Sequence, residues 1–386
     1  MPDDDLVLPR YGDRSLSDVL PALLTALGEP AVGSGDIAPT DLGLGTVRAA
    51  AVLLVDGLGS NLLRRHAADA PFLASLPDAG PLTAGFPSTT PISLASLGTG
   101  MPPGAHGMVG LSFRADGALL DTLLWRPVGG SEDLRTMFPP EYVQPMPTVF
   151  ERAAAAGIDV TVVSKGEFKG SGLTRAALRG GSFRSTFALG DLAAEVIGAL
   201  NGPGRRLVYG YHADLDGLGH RRGPGSLSWR MQLGQADRLA ALIAESLPSD
   251  AVLVITGDHG MVEVDDVLDA DTHDDLKRDV LLLGGDGRAR HVYARRGAAA
   301  NVLATWRSVL GERAWVVTGE EAVERGWFGP VAPRMRDRIG DVVMAARGTT
   351  AVVRSVAEPL LATLPGQHGS LTADEQYVPL LVARGG

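Results

Sequence analysis

The run A-A-A-V-L-L-V-D-G-L-G, residues 49–59, carries two messages. Seven apolar residues follow one another without polar alternation, and the run then breaks at Asp56-Gly57. Dense Val and Leu over so short a span predicts a strand covered on both faces, as in a parallel sheet. Residues 158–163 (I-D-V-T-V-V), 206–211 (R-L-V-Y-G-Y) and 252–256 (V-L-V-I-T) read the same way. Helical patterns lie between them, at 148–156 and most clearly at 227–247. Strands alternating with helices predict an α/β sandwich with a mostly parallel central sheet, helices on both faces and right-handed crossovers. Residues 298–353 read differently, with short helical pieces and a hairpin pattern around M-A-A-R-G-T-T-A-V-V. They are expected to form a smaller subdomain, perched on the core as a cap over the site, within a single catalytic domain of residues 1–386.

The residues that end the strand-like runs are chemically loaded. Asp56 ends the first. Y-H-A-D-L-D-G-L-G-H supplies Asp216 and His220, four apart, with Asp214 as a rival ligand. I-T-G-D-H-G-M supplies Asp258 and His259, and P-G-Q-H-G-S supplies His368. In open α/β sheets, ligands bind beyond the carboxyl ends of the strands, so residues far apart in sequence can meet there. Each Asp-Gly pair has a plain reading as a turn former. The combination argues otherwise, because only eight histidines exist in 386 residues and three of them, His220, His259 and His368, stand beside acids or glycines in these motifs. Three Asp and three His make two N/O donor sets, suited to zinc, with manganese and iron as alternatives.

Composition narrows the partners. With no cysteine, disulfides and thiolate zinc sites are excluded. A net charge of −10 argues against a nucleic-acid scaffold, which needs a basic face. A small anionic substrate needs only local positive charge. The acidic start M-P-D-D-D lacks the apolar core of a secretory signal, and no apolar run is long enough to span a bilayer. A cytoplasmic location is expected.

F-P-S-T-T-P-I-S-L-A-S-L-G-T-G, residues 86–100, crowds Ser88, Thr89 and Thr90 before a proline. Pro91 suits the first position of a helix, which would make Thr90 the N-cap. Any of the three hydroxyls could serve as a nucleophile, with Thr89 and Ser88 the alternatives to Thr90.

Five pieces in this order resemble the alkaline phosphatase superfamily, and its nucleotide pyrophosphatase/phosphodiesterase branch in particular. They are V-D-G-L-G, S-T-T-P-I-S-L-A-S-L-G-T-G-M-P-P-G-A-H-G-M-V-G, D-G-L-G-H-R-R-G-P, G-D-H-G-M and Q-H-G. The resemblance implies a two-metal site with Thr90 as nucleophile. One ion would be held by Asp56, Asp258 and His259, the other by Asp216, His220 and His368. The reaction implied is in-line displacement at phosphorus through a phospho-threonine. The helix start supports this independently, since its partial positive charge favours anions and a cation-bound hydroxyl gives up its proton readily.

The match has a gap. In the branch, an Asn that contacts a phosphate oxygen follows H-G-I. Here the run is H-G-M-V-G-L-S-F, and Ser112 is the polar residue of that region. Lys165 and Lys169, two of the chain's three lysines, sit in V-V-S-K-G-E-F-K-G-S-G and are candidates to fill it, as lysines do in phosphonoacetate hydrolases of the same superfamily. The expectation is therefore a phosphodiesterase or nucleotide pyrophosphatase, with a phosphomonoesterase or phosphonate hydrolase as the enzymatic alternative. A non-catalytic metal-binding module is the alternative from another class. His106 is expected to order the loop after the nucleophile helix.

Overall fold

The computed structural model describes residues 5–30, 42–77 and 79–386. The expectations for residues 1–4 lie outside them. The central sheet contains β1 (Ala49–Val55), β2 (Asp159–Lys165), β3 (Ser182–Thr186), β4 (Arg206–His212) and β5 (Ala251–Thr256). With the C-terminal strand Leu381–Arg384, their order is Leu381–Arg384, β5, β1, β4, β2, β3. All neighbours are parallel except Leu381–Arg384, which runs antiparallel to β5. The four predicted strands are all present, and β1 is buried along its whole length. Alternation splits it between two cores. Ala50, Val52 and Leu54 face one, and Ala49, Ala51, Leu53 and Val55 face the other.

Helices cover both faces. Thr90–Thr99 (α1) packs on the first core through Leu94, Ala95 and Leu97. Asp214–Arg222 (α2) and Leu227–Glu245 (α3) follow β4, and α3 buries Trp229, Leu233, Ala236, Leu239, Ala240 and Ile243 in the second core. Among the described residues no helix is long and apolar enough to cross a membrane.

The expected subdomain boundary at residue 298 cuts through a second sheet. That sheet consists of β6 (Val280–Gly285), β7 (Ala289–Ala294), β8 (Ala314–Thr318) and β9 (Val342–Ala346), ordered β6-β7-β9-β8 and wholly antiparallel. One face packs under the helix Ala299–Leu310, and residues of the other face, Trp315, Val317, Val343 and Ala345, join the first core. The expected hairpin is absent. After β9 the chain turns, and Thr350–Val353 pairs in parallel with Asp266–Asp269. No residue of 298–353 lines the cavity beside Thr90.

Candidate active site

The carboxyl ends of β1, β4 and β5 deliver the acids and histidines together. Asp56 follows β1 directly, and its N–H donates to the carbonyl of His212 at the end of β4 (2.9 Å). Asp216 and His220 lie one turn apart on α2, so both side chains fall on one face. Asp258 and His259 follow β5. His368 follows the two-residue strand Gly366–Gln367, which pairs with Val262–Glu263 just beyond His259.

All six predicted ligands converge. His259 Nε2 is 3.4 Å from Asp258 Oδ2 and 3.5 Å from Asp56 Oδ1. His220 Nε2 is 3.4 Å from Asp216 Oδ2 and 3.1 Å from His368 Nε2. His368 Nε2 lies 3.6 Å from Asp216 Oδ1. The rings of His259 and His368 stack with centroids 3.5 Å apart, joining the two clusters. Ligand atoms of Asp56, Asp258 and His259 all fall within 4.8 Å of one another, as do those of Asp216, His259 and His368. Thr90 Oγ1 is 3.2 Å from His259 Nε2.

Two features show that this set fits cations. First, each histidine is anchored through Nδ1 to a backbone carbonyl: His220 to Gly366 (2.7 Å), His259 to Gly260 (2.9 Å) and His368 to Ser88 (2.9 Å). A carbonyl only accepts, so Nδ1 carries the proton and the Nε2 lone pair is left for a ligand. Second, Asp56 Oδ1, Asp216 Oδ1 and Asp258 Oδ2 are buried with no hydrogen-bond partner. Buried carboxylate oxygens in that condition need a positive charge. Burial, with the charges of Asp258 and Asp216, pushes the Asp56 carboxyl well above its usual range. Burial, with His259 and His220 nearby, pushes His368 well down, so its ring is neutral.

Thr90 is the first helical residue rather than the N-cap. Thr89 takes the extended cap conformation (φ −136°, ψ 148°), and Pro91 moves to the second helical position. Proline suits either place in the first turn, so its position alone does not fix the cap. Of the rival hydroxyls, Ser88 is fully buried and acts as a brace. Its N–H donates to Gly369 O (3.0 Å), its Oγ to Ser370 O (2.8 Å), and its carbonyl accepts from His368.

None of the three predicted substrate contacts is among the residues that line the cavity beside Thr90. Ser112 Oγ donates to Gly285 O (3.2 Å) and accepts from Gly285 N–H (3.0 Å), tying two strands together. Lys165 ends β2, and alternation turns it away. Ser164 lines the cavity, whereas Lys165 follows Val163 onto the opposite face and pairs with Asp214. Lys169 is exposed. Asp214, thus engaged, stands apart from the ligand set. His106 does order its loop. Its Nδ1 accepts from Met108 N–H (3.1 Å), its Nε2 meets Ser96 Oγ (3.0 Å), and burial lowers its pKa to about 3.

A cavity of about 440 Å³ opens beside Thr90, Asp56 and Asp216. Its wall is largely apolar, formed by Leu94, Leu124, Phe168, Phe183, Tyr209 and Tyr211 among others, and contains no Lys or Arg. Sequence reading missed the two tyrosines. Their signal is positional, since Tyr209 and Tyr211 share a face of β4 and lie next to β1 residues Val52 and Leu54, on the face that ends at Asp56. Further back, Arg288 and Glu375 form an ion pair with both side chains fully buried. It anchors the His368 loop, because Glu375 Oε1 also accepts from Ser370 N–H (2.9 Å).

A mostly parallel sheet with acids, histidines and a helix-start threonine gathered at one end is the layout of the alkaline phosphatase superfamily, whose members include hydrolases of phosphoric esters. The chain belongs to the type I phosphodiesterase / nucleotide pyrophosphatase family, whose model matches residues 50–371. Among solved structures it resembles human ectonucleotide pyrophosphatase / phosphodiesterase 5, with TM-score 0.67 and 18% identity over 87% of each chain. The murine protein gives TM-score 0.67 and 18% identity over 87% of this chain and 88% of that one. Phosphonoacetate hydrolase from Sinorhizobium meliloti 1021 in complex with phosphonoformate gives TM-score 0.65 and 21% identity over 88% of this chain and 90% of that one. No curated protein sequence matches the chain.

Proposed function

We propose that this enzyme cleaves phosphate diesters or nucleotide pyrophosphates, with Thr90 as nucleophile and two divalent ions, zinc by preference. Asp56, Asp258 and His259 would hold one ion, and Asp216, His220 and His368 the other. The observation that carries this reading is the placement of Thr90 Oγ1, 3.2 Å from His259 Nε2 and at the edge of the apolar cavity.

Bound there, the ions would supply the positive charge that acidifies the Thr90 hydroxyl and neutralises the phosphoryl oxygens. The chain does the rest. The start of α1 favours an anion beside Thr90. Thr90 Oγ1 attacks phosphorus, the bond from phosphorus to the leaving oxygen breaks, and a phospho-threonine forms. Water then breaks the Thr90–phosphorus bond and frees the hydroxyl. The anchored histidines hold their rings in place throughout, so little reorganisation accompanies the reaction.

Charge favours a diester over a monoester. The cavity wall carries the acid Glu167 and no Lys or Arg, so it disfavours added negative charge on the substrate. A dianionic monoester or a carboxylated phosphonate needs further cations, and the cavity wall has none. The apolar wall suits an uncharged second substituent.

The test is hydrolysis of bis(p-nitrophenyl) phosphate beside p-nitrophenyl phosphate by zinc-loaded protein. Faster diester cleavage that disappears in Thr90→Ala is the expected result. Monoester preference would overturn the substrate class, and diester cleavage that survives the substitution would overturn the nucleophile.

A further inference from the structure

Tyr211 belongs to two surfaces at once. Its ring lines the apolar cavity and meets Phe168 edge-on, with centroids 5.9 Å apart. Its hydroxyl donates a hydrogen bond to Oδ2 of Asp56. That bond occupies one carboxylate oxygen. The other, Oδ1, is left buried without a partner, 3.5 Å from His259 Nε2.

We propose that Tyr211 is a positioning residue for the ion site of Asp56, Asp258 and His259, its hydroxyl holding Asp56 so that Oδ1 is the oxygen turned toward the ion. The inference rests on the two-ion reading above. Its logic is electrostatic and steric. Asp56, Asp216 and Asp258 each keep one buried oxygen without a hydrogen-bond partner, and the Tyr211 phenol holds the second oxygen of Asp56. Parallel pairing places Leu54 opposite Tyr211, so the phenol rises from the neighbouring strand beside Asp56. Ligating carboxylates are commonly fixed by such outer partners, and losing one weakens metal affinity by roughly 10- to 100-fold. The same side chain also forms the substrate wall, so the wall and the ion site share one rigid element.

Tyr211→Phe isolates the hydroxyl, because the ring and the charge count are unchanged. Metal-free full-length protein would be titrated with zinc against a chromophoric chelator. The expected outcome is two ions in the wild type, and in the variant one affinity unchanged and the other weaker by roughly 10- to 100-fold. In an Asp56→Asn background the same substitution should leave zinc affinity unaltered, because the two groups act as a unit. Equal weakening at both ions, no weakening at either, or full weakening in the Asp56→Asn background would each overturn the inference. A wild type that binds fewer than two ions would overturn the two-ion reading as well. A wild type that binds two, with a variant indistinguishable from it, would overturn the inference alone.

Discussion

His368 Nδ1 lies 2.9 Å from the carbonyl oxygen of Ser88, two residues before Thr90. One hydrogen bond thus ties a histidine of the candidate metal cluster to the loop that leads into Thr90. The placement of Thr90 and the geometry of that cluster are set together.

Thr90→Ala removes the proposed attacking oxygen together with the γ-methyl group. Diester hydrolysis at saturating zinc should fall by roughly 10³-fold or more, the scale seen when a nucleophile is deleted. Thr90→Ser should retain measurable turnover and should form a phosphoseryl adduct detectable by mass spectrometry after acid quench.

Removing the metals should destabilise the fold. Without cations, Asp56, Asp216 and Asp258 keep buried oxygens unpaired. A chelator should lower the thermal midpoint, and zinc should restore it. Each ion contributes about 2.7 kcal/mol when present at a hundred times its Kd. The shift should shrink in His368→Ala, which removes one ligand.

Lys165→Ala should leave diester and monoester rates within roughly fivefold of wild type. The lysine is half-buried, pairs with Asp214 and sits on the sheet face away from the cavity. Partly exposed pairs of this kind contribute about 0–1 kcal/mol. Selective loss on the monoester would return Lys165 to the substrate.

Gly57 has a left-handed backbone (φ +76°), and a Cβ added there would lie 3.1 Å from both Cα and Cβ of Asp216. Gly57→Ala should lower stability by about 1–2 kcal/mol from the backbone alone. It should also push Asp216 outward and weaken zinc binding, measured by chelator competition.

Asp286 gives a pH dependence of stability. It turns the β6–β7 hairpin by accepting from Arg288 N–H (3.0 Å) and Ala289 N–H (2.9 Å) through Oδ1, while Oδ2 is buried without a partner. Burial raises its carboxyl from 3.8 to about 7. The folded protein therefore holds this proton more tightly than the unfolded chain. Its contribution is full below about pH 4 and is lost as pH rises toward 7. Asp286→Asn keeps the accepting oxygen and cannot ionise. Its stability relative to wild type, from denaturant unfolding, should be higher at pH 8 than at pH 5.

The sequence made the sheet and its ligand ends legible because buried parallel strands concentrate Val, Ile and Leu and then stop at polar residues. It was less informative about the second sheet. The antiparallel strand β6 (V-L-L-L-G-G) and its partner β7 (A-R-H-V-Y-A) have no shared signature, and Arg288 and Arg290 look exposed until Glu375 and Glu358 are seen to pair with them. Lys165 misled for a related reason. Lysines in a glycine-rich segment invite a phosphate-loop reading, yet a shift of one residue along β2 moves a side chain to the other face. Tyr211 escaped notice because its neighbour Asp56 is 155 positions away.

The spread of the ligands along the chain also orders events in time. Asp56 is made early, Asp216 and His220 past the middle, and His368 only 18 residues before Gly386. A chain cut short before residue 368 would own most of the donors and still lack the residue that closes the second group. Metal capture at both positions would then report that synthesis has passed residue 368, so shorter copies should remain catalytically silent.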